Sequence, residues 1–150
     1  MTNANPANST VFSPERMQNL TATHVGEVGE FLVASILGGF GFEVVKTNGK
    51  GYDLIVMPRS EGQRPIRVDV KTKASSEGPR IFNIKKGKKT TYRDYDPSDC
   101  DVFALVCLED LSLTFKKCSE FAGKRSIYLN RDEHKATDPY ASWVDSLTAI

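Results

Sequence analysis

Apolar and polar positions change period several times along the chain. Ser13-Pro14-Glu15-Arg16 reads as a helix start. Ser13 is the N-cap, Pro14 takes the first helical position and Glu15 lies beside the positive helix end. The pattern predicts a helix running to about Leu37, with a break near Gly26. Val28, Phe31, Leu32, Ser35 and Ile36 fall in one wide stripe at 100° per residue. Glu27 and Glu30 project from the other side, one turn apart, and Gly38-Gly39 closes the helix. The period then drops to two. Phe42–Thr47 and Tyr52–Met57 read as strands around an Asn48-Gly49-Lys50-Gly51 turn. Ile66–Thr72 alternates strictly, with Val68, Val70 and Thr72 on one face and Arg67, Asp69, Lys71 and Lys73 on the other. Ile81–Ile84 is a short strand. Val102–Leu108 is an almost unbroken apolar run bounded by acids, as expected of a strand buried on both faces at the centre of a sheet. Leu113–Lys116 and Ser126–Leu129 are further strands, with a brief helical turn near Phe121. Tyr140, Trp143 and Leu147 have the spacing of a C-terminal helix docked on the core.

This order of elements predicts an α/β fold: a mixed central sheet, with the first helix on one side and the C-terminal helix on the other. The 150 residues suit one domain. Residues 1–12 are expected to be a flexible tail and 13–150 a single domain. Hydrophobic residues make up 39% and charged residues 26%, which excludes a fibre, a disordered chain and a disulfide scaffold. No apolar run reaches the ~18 residues of a membrane span, and the first residues lack the basic start and apolar stretch of a signal peptide. Cys100, Cys107 and Cys118 are odd in number and widely spaced, and only His24 and His134 could join them in a zinc site. They read as reduced thiols of a cytoplasmic protein.

Charge adds a partner. Net charge is +1, but it is unevenly distributed. Gln63 to Arg93 holds ten basic residues against two acids, a balance of +8, and the remainder balances at −7. A basic third on an otherwise acidic chain fits either a solvated face or the electrostatic footprint of a polyanion such as nucleic acid. Lys73 and the run Lys85, Lys86, Lys88 and Lys89 are the candidate phosphate contacts.

Four groups carry candidate chemistry: Glu30 on the first helix, Asp53 at the start of the second strand, and Asp69 with Lys71 on the third. Asp69 and Lys71, two apart, share a face. Carboxylates brought together from adjacent strands repel, and a cation between them keeps both ionised. Hard oxygen ligands select Mg²⁺, with Mn²⁺ as a substitute. Such an ion polarises a phosphate and lowers the pKa of a bound water, and a neighbouring lysine stabilises the growing charge. Asp94, Asp96, Asp99 and Asp101 lack the pattern of a calcium loop and read as a turn before the buried strand. His24 reads as a surface or cap residue.

The run Gly26-Glu27-Val28-Gly29-Glu30, followed by Gly41-Phe42-Glu43-Val44, Tyr52-Asp53-Leu54 and Val68-Asp69-Val70-Lys71-Thr72, resembles the PD-(D/E)XK nuclease superfamily. Within it, the chain is most similar to group I intron-associated homing endonucleases and Holliday-junction-resolvase-like proteins. Phe82-Asn83-Ile84 with its lysine-rich loop, Asp101–Leu105 and the Tyr140…Trp143 segment extend the resemblance over roughly residues 24 to 147. It implies a restriction-endonuclease-like core and Mg²⁺-dependent DNA cleavage of the homing or mobile-element type, with a junction-resolving or repair nuclease as the alternative. A DNA-binding module without activity is the alternative of another class. The resemblance makes Asp53 the acid of "PD" and Asp69 and Lys71 the "(D/E)XK" pair. It adds the Val70 carbonyl as a metal ligand and Glu30 as the first-helix glutamate, with Glu27 its rival. Tyr52 stands where the motif has proline. The intron-associated group can carry glutamine where this chain has Asp69. One active site per chain implies a homodimer or homotetramer for cutting both strands.

Overall fold

The structure, a computed structural model, describes residues 12–48, 51–85, 96 and 98–148. Its elements are helices α1 (Pro14–Met17), α2 (Ala22–Gly39), α3 (Arg131–Ala136) and α4 (Pro139–Ser146), a 3-10 turn at Cys118–Phe121, and seven strands. The strands are β1 (Val44–Lys46), β2 (Leu54–Val56), β3 (Ile66–Lys73), β4 (Arg80–Asn83), β5 (Val102–Cys107), β6 (Ser112–Lys117) and β7 (Ser126–Leu129). The main sheet has the order β1-β2-β3-β5-β6, with β3 and β5 parallel and every other pair antiparallel. The mixed α/β class predicted from the sequence is therefore present. β4 leaves the main sheet and pairs with β7 as a separate two-stranded ribbon.

The helical segment breaks earlier than expected. Ser13 caps α1, its hydroxyl accepting from the Arg16 N–H at 3.3 Å. Thr21 starts α2, its hydroxyl accepting from the His24 N–H. His24 contributes to that cap, with Nδ1 3.1 Å from the same hydroxyl. Gly26 is inside the helix. The helix also ends later: Phe40 is its C-cap, Gly41 takes φ +95°, and the Phe42 and Gly41 N–H groups close on the Leu37 and Gly38 carbonyls. That double bond pattern needs a left-handed residue, which glycine supplies without strain. The buried face of α2 is Gly29, Val33 and Leu37. Phe31, expected in the buried stripe, is 62% exposed, because the helix meets the sheet along its four-residue ridge.

The two helices expected on opposite sides lie on the same side. Val33 and Leu37 of α2 and Trp143 of α4 share one core cluster with Val68, Val70, Ala104, Val106 and Phe115. These sheet residues all belong to one alternating face. The opposite face, with Phe103 and Leu105, is covered by Phe82 and Ile84 of the ribbon region, Ile127 and Cys118. α3, which the sequence pattern did not show, caps this second layer: His134 is 1% exposed and contacts the Leu105 carbonyl. Covered on both faces, β5 is buried along its whole length, as its apolar run predicts.

Cys100 and Cys118 form a disulfide, which corrects the reading of three reduced thiols; Cys107 is buried and free. The β5–β6 register places Val102 opposite Lys117. It thereby carries the two flanking cysteines to each other, a proximity invisible in their 18-residue separation. No helix among the described residues is long and apolar enough to cross a membrane.

Candidate active site

The β2–β3 ladder runs to Leu54 opposite Val68 and then opens. Beyond it, the Val70 N–H donates not to a β2 carbonyl but to Asp53 Oδ2, at 2.8 Å. The Asp53 backbone is pinned on both sides. Its N–H donates to the Val68 carbonyl, and its own carbonyl accepts from the Thr47 N–H, each at 2.9 Å. The turn before it includes Gly51 at φ +84°, a conformation that glycine adopts freely. The strand opening thus aims the Asp53 carboxyl back at β3.

Asp69 meets it there. Asp69 is 3% exposed, and alternation along β3 puts it on the same face as Lys71, whose Nζ lies 3.5 Å from Asp69 Oδ1. Burial pushes the Asp53 carboxyl up, followed by the charge of Asp69 and a hydrogen bond shared with the Asp69 carboxyl. The Val70 N–H opposes this, Glu30 adds to it, and the result is a pKa of about 7. Two like-charged groups forced together cannot both ionise at low cost.

Glu30 reaches the same neighbourhood because α2 approaches β3 without an intervening side chain. A Cβ on Gly29 would lie 1.8 Å from Thr72 Oγ1, so only glycine permits this approach. Glu30 acts on Asp53 electrostatically and pairs with Lys46 Nζ at 3.8 Å. Glu27 is exposed, so the structure brings Glu30, not its rival, toward the aspartates. Lys46 was missed by sequence reasoning: one lysine on an edge strand carries no motif. Its ammonium also sits 4.6 Å from the centre of the Phe31 ring, giving that exposed aromatic a cationic partner.

Among the described residues, no group of three or more His, Cys, Asp and Glu side chains is arranged to hold a metal ion. The available donor set is Asp53 and Asp69 with the backbone at Val70. A half-buried and a buried carboxyl set against each other fit a divalent ion, because a cation between them relieves their repulsion. Val70 itself has a buried side chain, and its N–H is committed to Asp53.

The basic candidates separate. Lys73 continues the Asp69–Lys71 face, and its ammonium lies 5.9 Å from the Phe82 ring centre. Lys85 is exposed just beyond β4, whereas Lys86, Lys88 and Lys89 lie outside the described residues, as does Asp94. Asp96 and Asp99 form a turn, and Asp101 is held by Arg64 and Arg67. A second buried polar cluster was also missed. Arg80 is fully buried, bonded to Asp110 Oδ2 at 2.6 Å and to His134 Nδ1 at 2.8 Å. A guanidinium only donates, so His134 Nδ1 accepts and its Nε2–H donates to the Leu105 carbonyl. Burial pushes the imidazole pKa down, consistent with a neutral ring in that role. A cleft of about 490 Å³ between Phe42, Met57, Arg59 and Trp143 contains none of the four candidate residues.

No family model matches the chain, and no curated protein matches it. Among solved structures it is similar to a bacterial homing endonuclease, I-Ssp6803I. The TM-score is 0.62 and the identity 16%, over 82% of this chain and 88% of that one. The likeness is one of fold: a mixed α/β architecture with a five-stranded mixed sheet.

Proposed function

We propose that the protein is a metal-dependent DNA endonuclease of the PD-(D/E)XK type. The observation that carries this reading is the Asp53–Asp69 pair, two carboxyls held against each other with the Lys71 ammonium 3.5 Å from one of them. The fold shared with a homing endonuclease supports it, as does the basic stretch that contains Asp69 and Lys71.

Asp53, Asp69 and the Val70 carbonyl would hold Mg²⁺, with Mn²⁺ a substitute. The bound ion supplies Lewis acidity toward a phosphate oxygen and a water of lowered pKa. Lys71 cannot ligate a cation, since an ammonium has no acceptor lone pair. Its work is to orient the attacking water and stabilise charge building on the phosphate oxygens. Glu30 shapes the field at Asp53, and Lys46 holds Glu30 in place. Lys73, Lys85 and the lysines at 86, 88 and 89 neutralise backbone phosphates. A single such site cuts one strand, so the working form is a homodimer or homotetramer. A homing or mobile-element enzyme is the preferred subtype.

The test is incubation of the purified protein with plasmid and branched DNA, in Mg²⁺ and in chelator. The reading expects cutting only with the metal. Preference for the branched substrate would move the assignment to a junction-resolving nuclease. DNA binding without cutting under any divalent ion would leave a binding module.

A further inference from the structure

The β4–β7 ribbon has one face in the core, where Phe82 and Ile127 pack with Phe103 and Leu105. Alternation therefore turns Ile81, Asn83, Ser126 and Tyr128 outward. The register sets Ile81 opposite Tyr128 and Asn83 opposite Ser126. Ile81 is 50% exposed and Tyr128 62%, so two large apolar side chains face each other across an open surface beside two polar ones. The ribbon is anchored at its Arg80 end by the buried contacts to Asp110 and His134.

Its charge is graded. Beyond the Asn83–Ser126 pair, the strands continue through the bond from the Ile84 N–H to the Arg125 carbonyl, to exposed Lys85, Lys124 and Arg125. At the other end, a small cleft beside Tyr128 is lined by Glu77, Asp132 and Arg131, the last of them paired with Glu109 at 3.2 Å. A polyanion therefore approaches from the Asn83 end. The ribbon also covers the sheet face that carries Asp69 and Lys71: the Lys73 ammonium lies over Phe82, and Tyr52, beside Asp53, packs on the same cluster. A two-stranded ribbon fits the major groove of B-form DNA, about 12 Å wide.

We propose that the outer face of this ribbon reads base edges in the major groove next to the phosphate held at Asp53, Asp69 and Lys71. The inference rests on the DNA-endonuclease reading and deepens it. Asn83 is the principal reader, because one carboxamide offers the donor and acceptor that match adenine N6 and N7. Ser126 is a second hydrogen-bonding contact, and Ile81 with Tyr128 supplies apolar contact to thymine methyl groups. The lysines beyond the ribbon fix position on the backbone, which carries no sequence information.

The experiment exposes the full-length wild type, Asn83→Ala, Asn83→Asp and Ile81→Ala to a randomised duplex library. One arm selects bound DNA in Ca²⁺, and the other sequences cleaved ends in Mg²⁺. Asn83→Ala should flatten discrimination at one or two neighbouring base pairs by about 5- to 150-fold, while the other positions keep their preferences. Asn83→Asp should turn the preferred base there from adenine toward cytosine, whose N4 is a donor; misfolding cannot produce that switch. A profile unchanged in all variants, an affinity loss equal for every sequence, or a wild type without sequence preference would overturn the proposal. Cutting with an unmoved profile removes the ribbon and keeps the nuclease. A shifted binding profile without cutting keeps the ribbon and removes the nuclease, and neither binding nor cutting removes both.

Discussion

Asp53 and Asp101 each stand just before a strand of the same sheet, yet their surroundings drive them in opposite directions. Burial raises both. At Asp101 it is outweighed by Arg64, whose two Nη atoms lie 2.9 and 3.0 Å from the carboxylate, and by the Arg67 side chain and N–H. The carboxyl is held at about 2. At Asp53 the facing group is another acid, and the carboxyl is pushed up to about 7. The Asp101 cluster is complete within the chain: charge answered by charge, as a structural ion pair requires. The Asp53 carboxyl instead faces Asp69, and a carboxyl pushed up in this way is the property expected of a site built for a ligand.

The comparison breaks most visibly under deletion. Asp53→Ala and Asp69→Ala should each abolish Mg²⁺-dependent cleavage, measured on supercoiled DNA, with no loss of thermal stability in chelator. Next in size, Lys71→Ala should slow single-turnover cleavage by ~10²–10³ while binding DNA almost as well as wild type. Arginine there should rescue poorly, since a planar fork does not replace a compact ammonium. Loss of affinity with a normal rate on bound DNA would make Lys71 a phosphate anchor instead.

Asp101→Ala should do the reverse of Asp53→Ala. It should destabilise the protein by about 2 kcal/mol in denaturant titration, as its charged hydrogen bonds are lost. The folded pKa of about 2 is below the ordinary ~3.9. The Asp101 contribution is therefore fully present above pH ~4 and is lost as pH falls through about 2. The wild type should show this acid-limb loss, and Asp101→Ala should lack it. Gly29→Ala should cost about 1–3 kcal/mol, because the added methyl overlaps Thr72. It should also lower cleavage by moving Glu30 off the pair.

What the sequence made legible follows the range of the interaction. Asp69 and Lys71 share a face by alternation alone, and the glycine turn before Asp53 marks its strand start. Val102–Leu108 announced its burial on both faces by composition. The misses depend on docking. Phe31 has the spacing of a core residue but faces outward, because Gly29 sets where α2 touches β3. α2 and α4 lie on the same side of the sheet because the other face is taken by a ribbon whose strands are 42 residues apart at Arg80–Asn83 and Ser126–Leu129. α3 has no apolar stripe, only an Asn130 cap and one buried histidine. The Cys100–Cys118 bond needs the β5–β6 register, which residue spacing does not reveal.

The most direct measurement is thermal denaturation of wild type, Asp53→Ala and Asp69→Ala, each with Mg²⁺ and with chelator. A frustrated carboxyl pair predicts that Mg²⁺ raises the melting temperature of the wild type alone, and that both variants melt at or above the wild type in chelator. Variants that melt lower than the wild type in chelator, together with a wild type indifferent to Mg²⁺, would contradict it and make the pair a structural element like Asp101.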